Sequence, residues 1–470
     1  MGPVSARSSR VVILGGGPGG YEAALVAAHL GAAVTVVERS GIGGASVLTD
    51  CVPSKTLIST AEYMSDLGVA ADLGVQLENG DGDEVTAAVA DLPGVNRRVL
   101  DLAEAQSRDI RARLEEVGVE VVVGAASLTS ATSVAVETGE GTRELTADVV
   151  LLATGAAPRV MDTAVPDGER ILTWQQIYDL PELPGRLVVV GSGVTGAELA
   201  QAYLGLGSQV VLVSSRDRVL PGEDGDAATV IEDVFRKRGM EVLGRSRMAS
   251  VERTGDGVLV RLEDGHEVTG THALLAVGSV PQTSGIGLEE VGVELTPSGH
   301  VEVDKVSRTS VRGVYAAGDC TGVLPLASVA AMQGRIAMSH ALGDAVAPLN
   351  LDVVSANVFT DPEIATVGVS QKDLDEERVD ADVLTLALSR NPRAKMLGIR
   401  DGFVKLFAQK GSGAVIGGVV VAPRASELIF PVTLAVQHRI NVDQVASTFT
   451  VYPSLSGSIA EAARRLHPTD

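Results

Sequence analysis

The 470-residue sequence predicts an α/β protein with two βαβ-based domains and a separate C-terminal α+β domain. The first two domains are indicated by RVVILGGGPGGYEAALVAAHLGAAVTVVE, from Arg10 to Glu38, and RLVVVGSGVTGAELAQAYLGLGSQVVLVSS, from Arg186 to Ser215. Each stretch has an apolar strand, a Gly-rich turn, an Ala-rich helix and a second strand, in the order of a βαβ unit. From about Leu351 the pattern changes to period-2 strands followed by Ala-rich helices, which predicts the α+β domain.

Both βαβ units carry the spacing G-x-G-x-x-G at the first turn. The glycines are Gly15, Gly17 and Gly20 in the first unit, and Gly191, Gly193 and Gly196 in the second. Glycine at these places permits a tight turn, close approach of a pyrophosphate and close packing of helix on strand. One such motif is weak evidence, but two in a strand–turn–helix context predict two bound dinucleotides.

The residue that ends the second strand of each unit indicates which nucleotide is bound. In the first unit this residue is Glu38, eighteen positions past Gly20, and a carboxylate there accepts hydrogen bonds from an adenosine ribose, as in FAD or NAD sites. The same count in the second unit reaches Ser214, with Arg216 and Arg218 close by. Loss of the acid beside guanidinium groups favours a 2′-phosphate. We therefore expect NADPH in the second unit, with NADH tolerated.

Composition excludes several classes of partner and of location. A formal net charge of −22 makes nucleic acid or an anionic membrane surface an unsuitable partner. Two cysteines, Cys51 and Cys320, are too few for a secreted disulfide framework. No apolar run approaches the roughly 20 residues of a membrane span. We expect a cytoplasmic protein, and we assign no metal site.

The segment GGASVLTDCVPSK, from Gly43 to Lys55, resembles the redox-disulfide segment of the flavoprotein disulfide reductases, such as lipoamide dehydrogenase and glutathione reductase. The pattern of that family is GGxCxxxxCxPSK, so its first cysteine falls on Ser46 and its second on Cys51. A hydroxyl cannot form or exchange a disulfide, so the signature chemistry of the family is not expected here.

The resemblance spans essentially the whole chain and implies a homodimer with two Rossmann-like FAD- and NAD(P)-binding domains plus a C-terminal α+β dimerisation domain. It implies FAD in the first unit, with Asp319 on the ribityl chain, and an ion pair of Lys55 with Glu198 beside flavin N5. We expect further cofactor contacts at Gly44, Thr154, Gly155 and Gly278. The expected boundaries are 1–158 with 284–350 for FAD, 159–283 for NAD(P)H and 351–470 for dimerisation.

A second departure from the family occurs in TVYPSLSGSIAEA, from Thr450 to Ala462. Relatives carry a His and a Glu there that handle protons for the dithiol, and Tyr452 and Gly457 stand at those places. Tyrosine, with an ordinary pKa near 10, is a poor base at neutral pH. Together with SVLTDCVPSK, this segment resembles the actinobacterial NAD(P)H:quinone reductase branch, which lacks the redox-active disulfide.

The resemblance therefore implies hydride transfer from NAD(P)H to FAD N5 and then directly to a quinone or similar acceptor, with Lys55, Glu198, Cys51 and Tyr452 as the expected catalytic residues. Two other functions stay open: a soluble pyridine nucleotide transhydrogenase and a non-catalytic FAD/NAD redox sensor. Cys51 itself has three interpretations. It is a small buried residue, a thiolate polarising the flavin, or a sensor oxidised through a sulfenic acid.

Overall fold

The computed structural model describes residues 8–68, 70–76 and 88–467. Its contacts divide the chain into two compact units. The first comprises Met1–Ser54, Arg97–Arg159 and Gly278–Asn350, and the second comprises Lys55–Asn96, Val160–Val277 and Leu351–Asp470. The FAD, NAD(P)H and dimerisation boundaries expected from the sequence stay a prediction.

The first unit is built on a parallel five-stranded sheet with the first βαβ unit at its centre. Its strands, in spatial order, are Val314–Ala316, Val149–Leu152, Arg10–Leu14, Ala33–Glu38 and Glu120–Val123. Residues 11–14 of the central strand are buried on both faces, which is why this strand is a continuous apolar run. Helix Pro18–His29 joins the two strands of the βαβ unit, as predicted.

Smaller elements complete the first unit. An antiparallel sheet contains Ala125–Ser130, Ser133–Thr138 and Gly141–Thr146, and a two-stranded ribbon pairs Ala156–Pro158 with Ser279–Pro281. The helical segments are Gly44–Leu48, Leu288–Val291, Asp319–Thr321 and Ala327–Ala341. Helix Leu92–Glu116 crosses the division between the units at residues 96 and 97.

The second unit contains the second βαβ unit in an equivalent parallel sheet. Its strands, in spatial order, are Glu241–Leu243, Gln209–Val213, Arg186–Val190, His272–Leu275 and Ile171–Thr173. Helices Val194–Leu206 and Gly225–Lys237 belong to this sheet, with a one-turn helix at Ile177–Asp179. An antiparallel sheet of Met248–Thr254, Gly257–Leu262 and Glu267–Gly270 accompanies it.

The C-terminal part is the predicted α+β domain. Its antiparallel sheet has the order Ser355–Val358, Glu363–Gly368, Val415–Ala422, Phe403–Gln409 and Ala381–Ala387. The apolar faces of helices Ala425–Gln437 and Gly457–Arg465 contribute to the core of this domain. The remaining helical segments are Leu351–Val353, Gln371–Asp375, Leu388–Arg390, Pro392–Met396 and Val442–Ser447.

Helix Cys51–Gly68 extends further than the sequence suggests. The Gly- and Asp-rich stretch Leu67–Asp83 predicts a surface loop, yet the helix includes its first two residues and Ala70–Leu73 forms a short 3-10 helix. Residue 69 and residues 77–83 of the predicted loop lie outside the described residues. Across the described ranges, no helix has both the length and the apolar character that crossing a membrane requires.

Candidate functional site

Of the three glycines of the first G-x-G-x-x-G motif, two are sterically required and one faces open space. Gly15 has φ +104°, and a Cβ on it would overlap the carbonyl oxygen of Ala153. A Cβ on Gly20 would overlap the Gly15 carbonyl oxygen, so helix and strand can pack this closely only without a side chain. Nothing lies within 4 Å of a Cβ built on Gly17, which leaves the room that a pyrophosphate needs.

The second turn repeats this geometry residue for residue. Gly191 has φ +110° and abuts the Ala276 carbonyl, Gly196 abuts the Gly191 carbonyl, and Gly193 faces open space. Helices Pro18–His29 and Val194–Leu206 begin directly after Gly17 and Gly193, so their first N–H groups point toward that space. Both turns therefore have the shape that the two fingerprints predict.

Glu38 is held at its strand end by backbone donors. Its Oε2 accepts from the Gly16 N–H at 2.6 Å and its Oε1 from the Ser40 N–H at 2.7 Å. The backbone of Gly44 packs so closely on Gly17 that a Cβ there would lie 2.9 Å from the Gly17 Cα. The structure thus brings together the predicted residues Gly17 and Gly44, with Glu38 fixed in place as a ribose acceptor requires.

Asp319 is a half-buried carboxylate that accepts no hydrogen bond from any described residue. Burial raises its pKa above the ordinary range, and the nearby His300 partly opposes this shift. A ligand hydroxyl would supply the missing donor, so Asp319 and the open turn at Gly17 fit the ribityl and pyrophosphate groups of FAD. Next in sequence, Cys320 is wholly buried and burial raises the pKa of its thiol to about 11.

Thr154, Gly155 and Gly278 lie at the two-stranded ribbon of the first unit. The carbonyl oxygens of Thr154 and Gly155 accept from the Gln282 side chain and backbone at 3.1 and 2.9 Å, respectively. The Gly278 carbonyl accepts from the Arg159 N–H at 3.0 Å. These bonds fix the backbone after two sheet strands, where ligands bind in open α/β sheets.

The predicted ion pair between Lys55 and Glu198 is present in the second unit. Lys55 Nζ lies 2.8 Å from Glu198 Oε2, and Glu198 is only 3% exposed whereas Lys55 is 30% exposed. The other carboxylate oxygen, Oε1, accepts from the backbone N–H of Phe359 at 2.8 Å. Lys55 Nζ also lies 4.9 Å from the centre of the Phe359 ring. The lysine ammonium is thus held by a ring face and by a carboxylate that is itself anchored.

Ser214 is wholly buried and organises the loop that follows its strand. Its hydroxyl lies 2.6 Å from the Ser192 hydroxyl and accepts from the Arg216 N–H at 3.1 Å. Ser192 and Ser214 occupy the places that Gly16 and Glu38 hold in the first unit. A pair of hydroxyls therefore replaces the carboxylate, which removes the negative charge that would repel a 2′-phosphate.

The residues at the places of the family's dithiol chemistry lie in two successive helices near Cys51 and in the C-terminal domain. Ser46 lies in helix Gly44–Leu48 and donates to the Gly43 carbonyl at 3.1 Å. Cys51, which is half-buried, begins the next helix. Tyr452 is 83% exposed in the C-terminal domain, and Gly457 begins helix Gly457–Arg465.

A carboxylate one turn beyond Gly457 does not replace the missing glutamate. Glu461 forms ion pairs with Arg464 and Arg465 of its own helix. It is therefore committed to local surface pairing.

Three residues near these sites were not predicted. Phe359 anchors Glu198 across 161 positions of sequence, for which no local signal exists. Ser192 follows from the equivalence of the two turns. Arg245 is exposed, and its N–H donates to the Arg216 carbonyl at 2.6 Å, which adds a third arginine near the end of the strand.

Comparison with known proteins agrees with this arrangement. Residues 9–334 match the family model described as pyridine nucleotide-disulphide oxidoreductase, and residues 354–463 match its dimerisation domain. The Mycobacterium tuberculosis protein named NAD(P)H dehydrogenase (quinone) is 55% identical, covering 98% of this chain and 94% of that protein. A Bacillus subtilis protein named dihydrolipoyl dehydrogenase is 33% identical, covering 96% of this chain and 95% of that protein.

A solved structure resembles the whole chain. The crystal structure of LpdA from Mycobacterium tuberculosis has a TM-score of 0.92 at 54% identity, covering 98% of this chain and all of that one. Members of the matched family use FAD and NAD(P)H, in agreement with the two glycine turns. The chain belongs to the pyridine nucleotide-disulphide oxidoreductase family.

Proposed function

We propose that the chain is an FAD-dependent NAD(P)H:quinone oxidoreductase that works as a cytoplasmic homodimer. The name of the 55% identical relative from M. tuberculosis supports the reaction, and the match of residues 354–463 to a dimerisation domain supports the homodimer. The proposal excludes lipoamide dehydrogenase and glutathione reductase activity.

One observation carries the exclusion. The ion pair of Lys55 with Glu198 is intact, whereas Ser46, Tyr452 and Gly457 occupy the places of the interchange thiol, the base and its carboxylate. A quinone accepts electrons without a thiol and without a strong base at its side. In this proposal the retained ion pair serves hydride transfer, and the missing groups are those that only a dithiol substrate needs.

When bound, FAD supplies the hydride acceptance and the onward electron transfer to the quinone. The residues of the chain position charged groups and stabilise the charge that develops. The Phe359 N–H fixes Glu198, and Glu198 holds the Lys55 ammonium in one place. A fixed positive charge lowers the free energy of any negative charge that develops next to it, at little cost of reorganisation.

The second nucleotide site is proposed to prefer NADPH. Ser214 presents no charge, and the exposed Arg216 and Arg245 offer guanidinium groups to a phosphate. Arg218 lies in the same loop, between Ser214 and the helix that begins at Gly225. NADH lacks only the group that these arginines would bind, so it remains a substrate.

The test is steady-state turnover of the FAD-loaded dimer. We expect NADPH-dependent reduction of a naphthoquinone and no turnover of lipoamide. The variant Ser46→Cys restores the missing thiol but not the base, so we expect it to gain no lipoamide activity. Lys55→Met should slow flavin reduction by about tenfold or more without abolishing FAD binding. Lipoamide turnover by the wild type, or no quinone reduction at any pH, would contradict the proposal.

A further inference from the structure

A second acidic residue shares a helix face with Lys55. On helix Cys51–Gly68 the positions Lys55, Ile58, Glu62 and Ser65 are spaced by three, four and three residues, so they lie along one side. Glu62 is half-buried and forms no ion pair with any described residue. It therefore differs from Glu198, whose charge is matched by the Lys55 ammonium.

Glu62 and Glu198 line the same small cavity. The cavity has a volume of about 10 Å³, and its other polar walls include Gln201 and Asp361. That volume corresponds to about one water molecule, and the site offers the two to four polar partners that a buried water needs. Gln201 is itself fixed, because its side-chain amide exchanges two 2.8 Å hydrogen bonds with the backbone of Asp361.

The charges around Glu62 favour its neutral form. Burial, followed by the carboxylates of Asp361, Glu363 and Asp66, raises the pKa of Glu62 to about 7, and Arg424 opposes this shift. Arg238 also borders the cavity, but its charge is engaged with Asp361 at 2.6 Å. Glu62, whose neutral form is favoured, thus borders the same one-water cavity as Glu198, the partner of Lys55.

We propose that Glu62 is a positioning residue that exchanges its proton with the one water of this cavity, so that the charge of Glu62, present or absent, sets the electric field at the Lys55–Glu198 pair. In the exchange an O–H bond of Glu62 breaks, and the water accepts that proton and passes another to solvent. No oxidant is required. This inference rests on the proposed function, since reduction of a quinone by NAD(P)H consumes one solvent proton per hydride.

The first test needs no turnover. Infrared difference spectra of the FAD-loaded dimer between pH 5 and 9 should show one protonated-carboxyl band that titrates near neutrality. The band should be absent in Glu62→Gln and retained in Asp66→Asn, where loss of a neighbouring negative charge should move its midpoint to lower pH. If no carboxyl titrates near neutrality in the wild type, the proposal is overturned whether or not the variant folds.

The second test is anaerobic flavin reduction by NADPH, followed by stopped-flow absorbance across the same pH range. We expect an inflection near neutrality in the wild type and its loss in Glu62→Gln, whose rate should match the wild type at pH 6, where Glu62 is neutral, and differ from it several-fold at pH 8, where Glu62 is charged. An unchanged inflection in Glu62→Gln, or its loss in Asp66→Asn, overturns the proposal.

The two proposals fail in distinguishable ways, because flavin reduction is measured here without quinone. A Glu62-dependent inflection in a protein that reduces no quinone refutes only the proposed acceptor. Quinone turnover with an unaltered pH profile in Glu62→Gln refutes only the role of Glu62.

Discussion

Lys405 is a buried lysine with two aspartate partners that differ sharply in burial. Its Nζ lies 2.8 Å from Asp224 and 2.6 Å from Asp226, and its side chain is 2% exposed. Asp224 is also 2% exposed, whereas Asp226 is 66% exposed. Asp224 caps helix Gly225–Lys237 of the nucleotide-binding part, and Lys405 lies on strand Phe403–Gln409 of the C-terminal sheet. The triad of Lys405, Asp224 and Asp226 therefore joins a helix of the nucleotide-binding part to the C-terminal sheet, both within the second unit.

The size of the expected loss of stability follows from the burial of each aspartate rather than from its distance to Lys405. Lys405→Met leaves Asp224 buried without its cation, a change that costs about 3–5 kcal/mol for an ion pair in this setting. Asp224 keeps its two backbone donors and the helix N-terminus, which stabilise the charge by up to about 1–2 kcal/mol. We expect a net loss of about 1–4 kcal/mol in the free energy of unfolding. Asp226→Asn, although it removes the shorter contact, should cost less than about 1 kcal/mol.

The assay is urea unfolding of the FAD-loaded dimer at fixed protein concentration, followed by far-UV circular dichroism. The double variant Lys405→Met/Asp224→Asn is the decisive control, because the amide keeps the cap and removes the stranded charge. It should be more stable than Lys405→Met alone. The reasoning is refuted if Lys405→Met costs less than Asp226→Asn, or if the double variant is the least stable of the series.

Three further outcomes follow from other sites. Glu62→Gln should equal the wild type in stability near pH 4.5 and exceed it by about 1–2 kcal/mol at pH 8 in thermal melts. The folded-state pKa of Glu62, raised to about 7, lowers wild-type stability as pH rises from the unfolded value, and solvent screening roughly halves the effect of the full shift. Equal stability of the two proteins at both pH values would contradict this. Ser192→Gly/Ser214→Glu recreates the arrangement of Gly16 and Glu38, so kcat/KM for NADPH should fall about 10- to 100-fold while that for NADH is kept. Ser412→Glu, at an exposed serine of the C-terminal domain, should leave the ratio unchanged. Gly17→Val should release FAD from a protein that stays folded, which is seen as lost flavin absorbance. Gly20→Ala should instead lower the melting temperature, because only this substitution meets backbone atoms. Retained flavin in Gly17→Val would count against the pyrophosphate site.

The parts of the fold that the sequence predicts are those that local pattern controls. The two βαβ units, their glycine turns and the strands of the C-terminal sheet depend on apolar periodicity and on backbone conformations that only glycine adopts easily. The site depends more on contacts between distant segments. Phe359 reaches Glu198 across 161 residues, and a lysine in the middle of strand Phe403–Gln409 gives no sign that it is buried. The position of Ser214 at the strand end follows from its spacing to Gly196, but its hydroxyl pairing with Ser192 required the three-dimensional structure.

Stability and catalysis constrain the retained and the missing groups differently. Glu198 is almost wholly buried, so loss of Lys55 alone would strand its charge at a cost of several kcal/mol, whether or not the protein is active. Ser46 is only partly buried and Tyr452 is largely exposed, so exchange of polar groups at those places costs the fold little. An intact ion pair beside a lost thiol is therefore what stability alone would preserve. A role in hydride transfer predicts more than a loss of stability: flavin reduction should be slower in Lys55→Met even in protein that has kept its FAD and its fold.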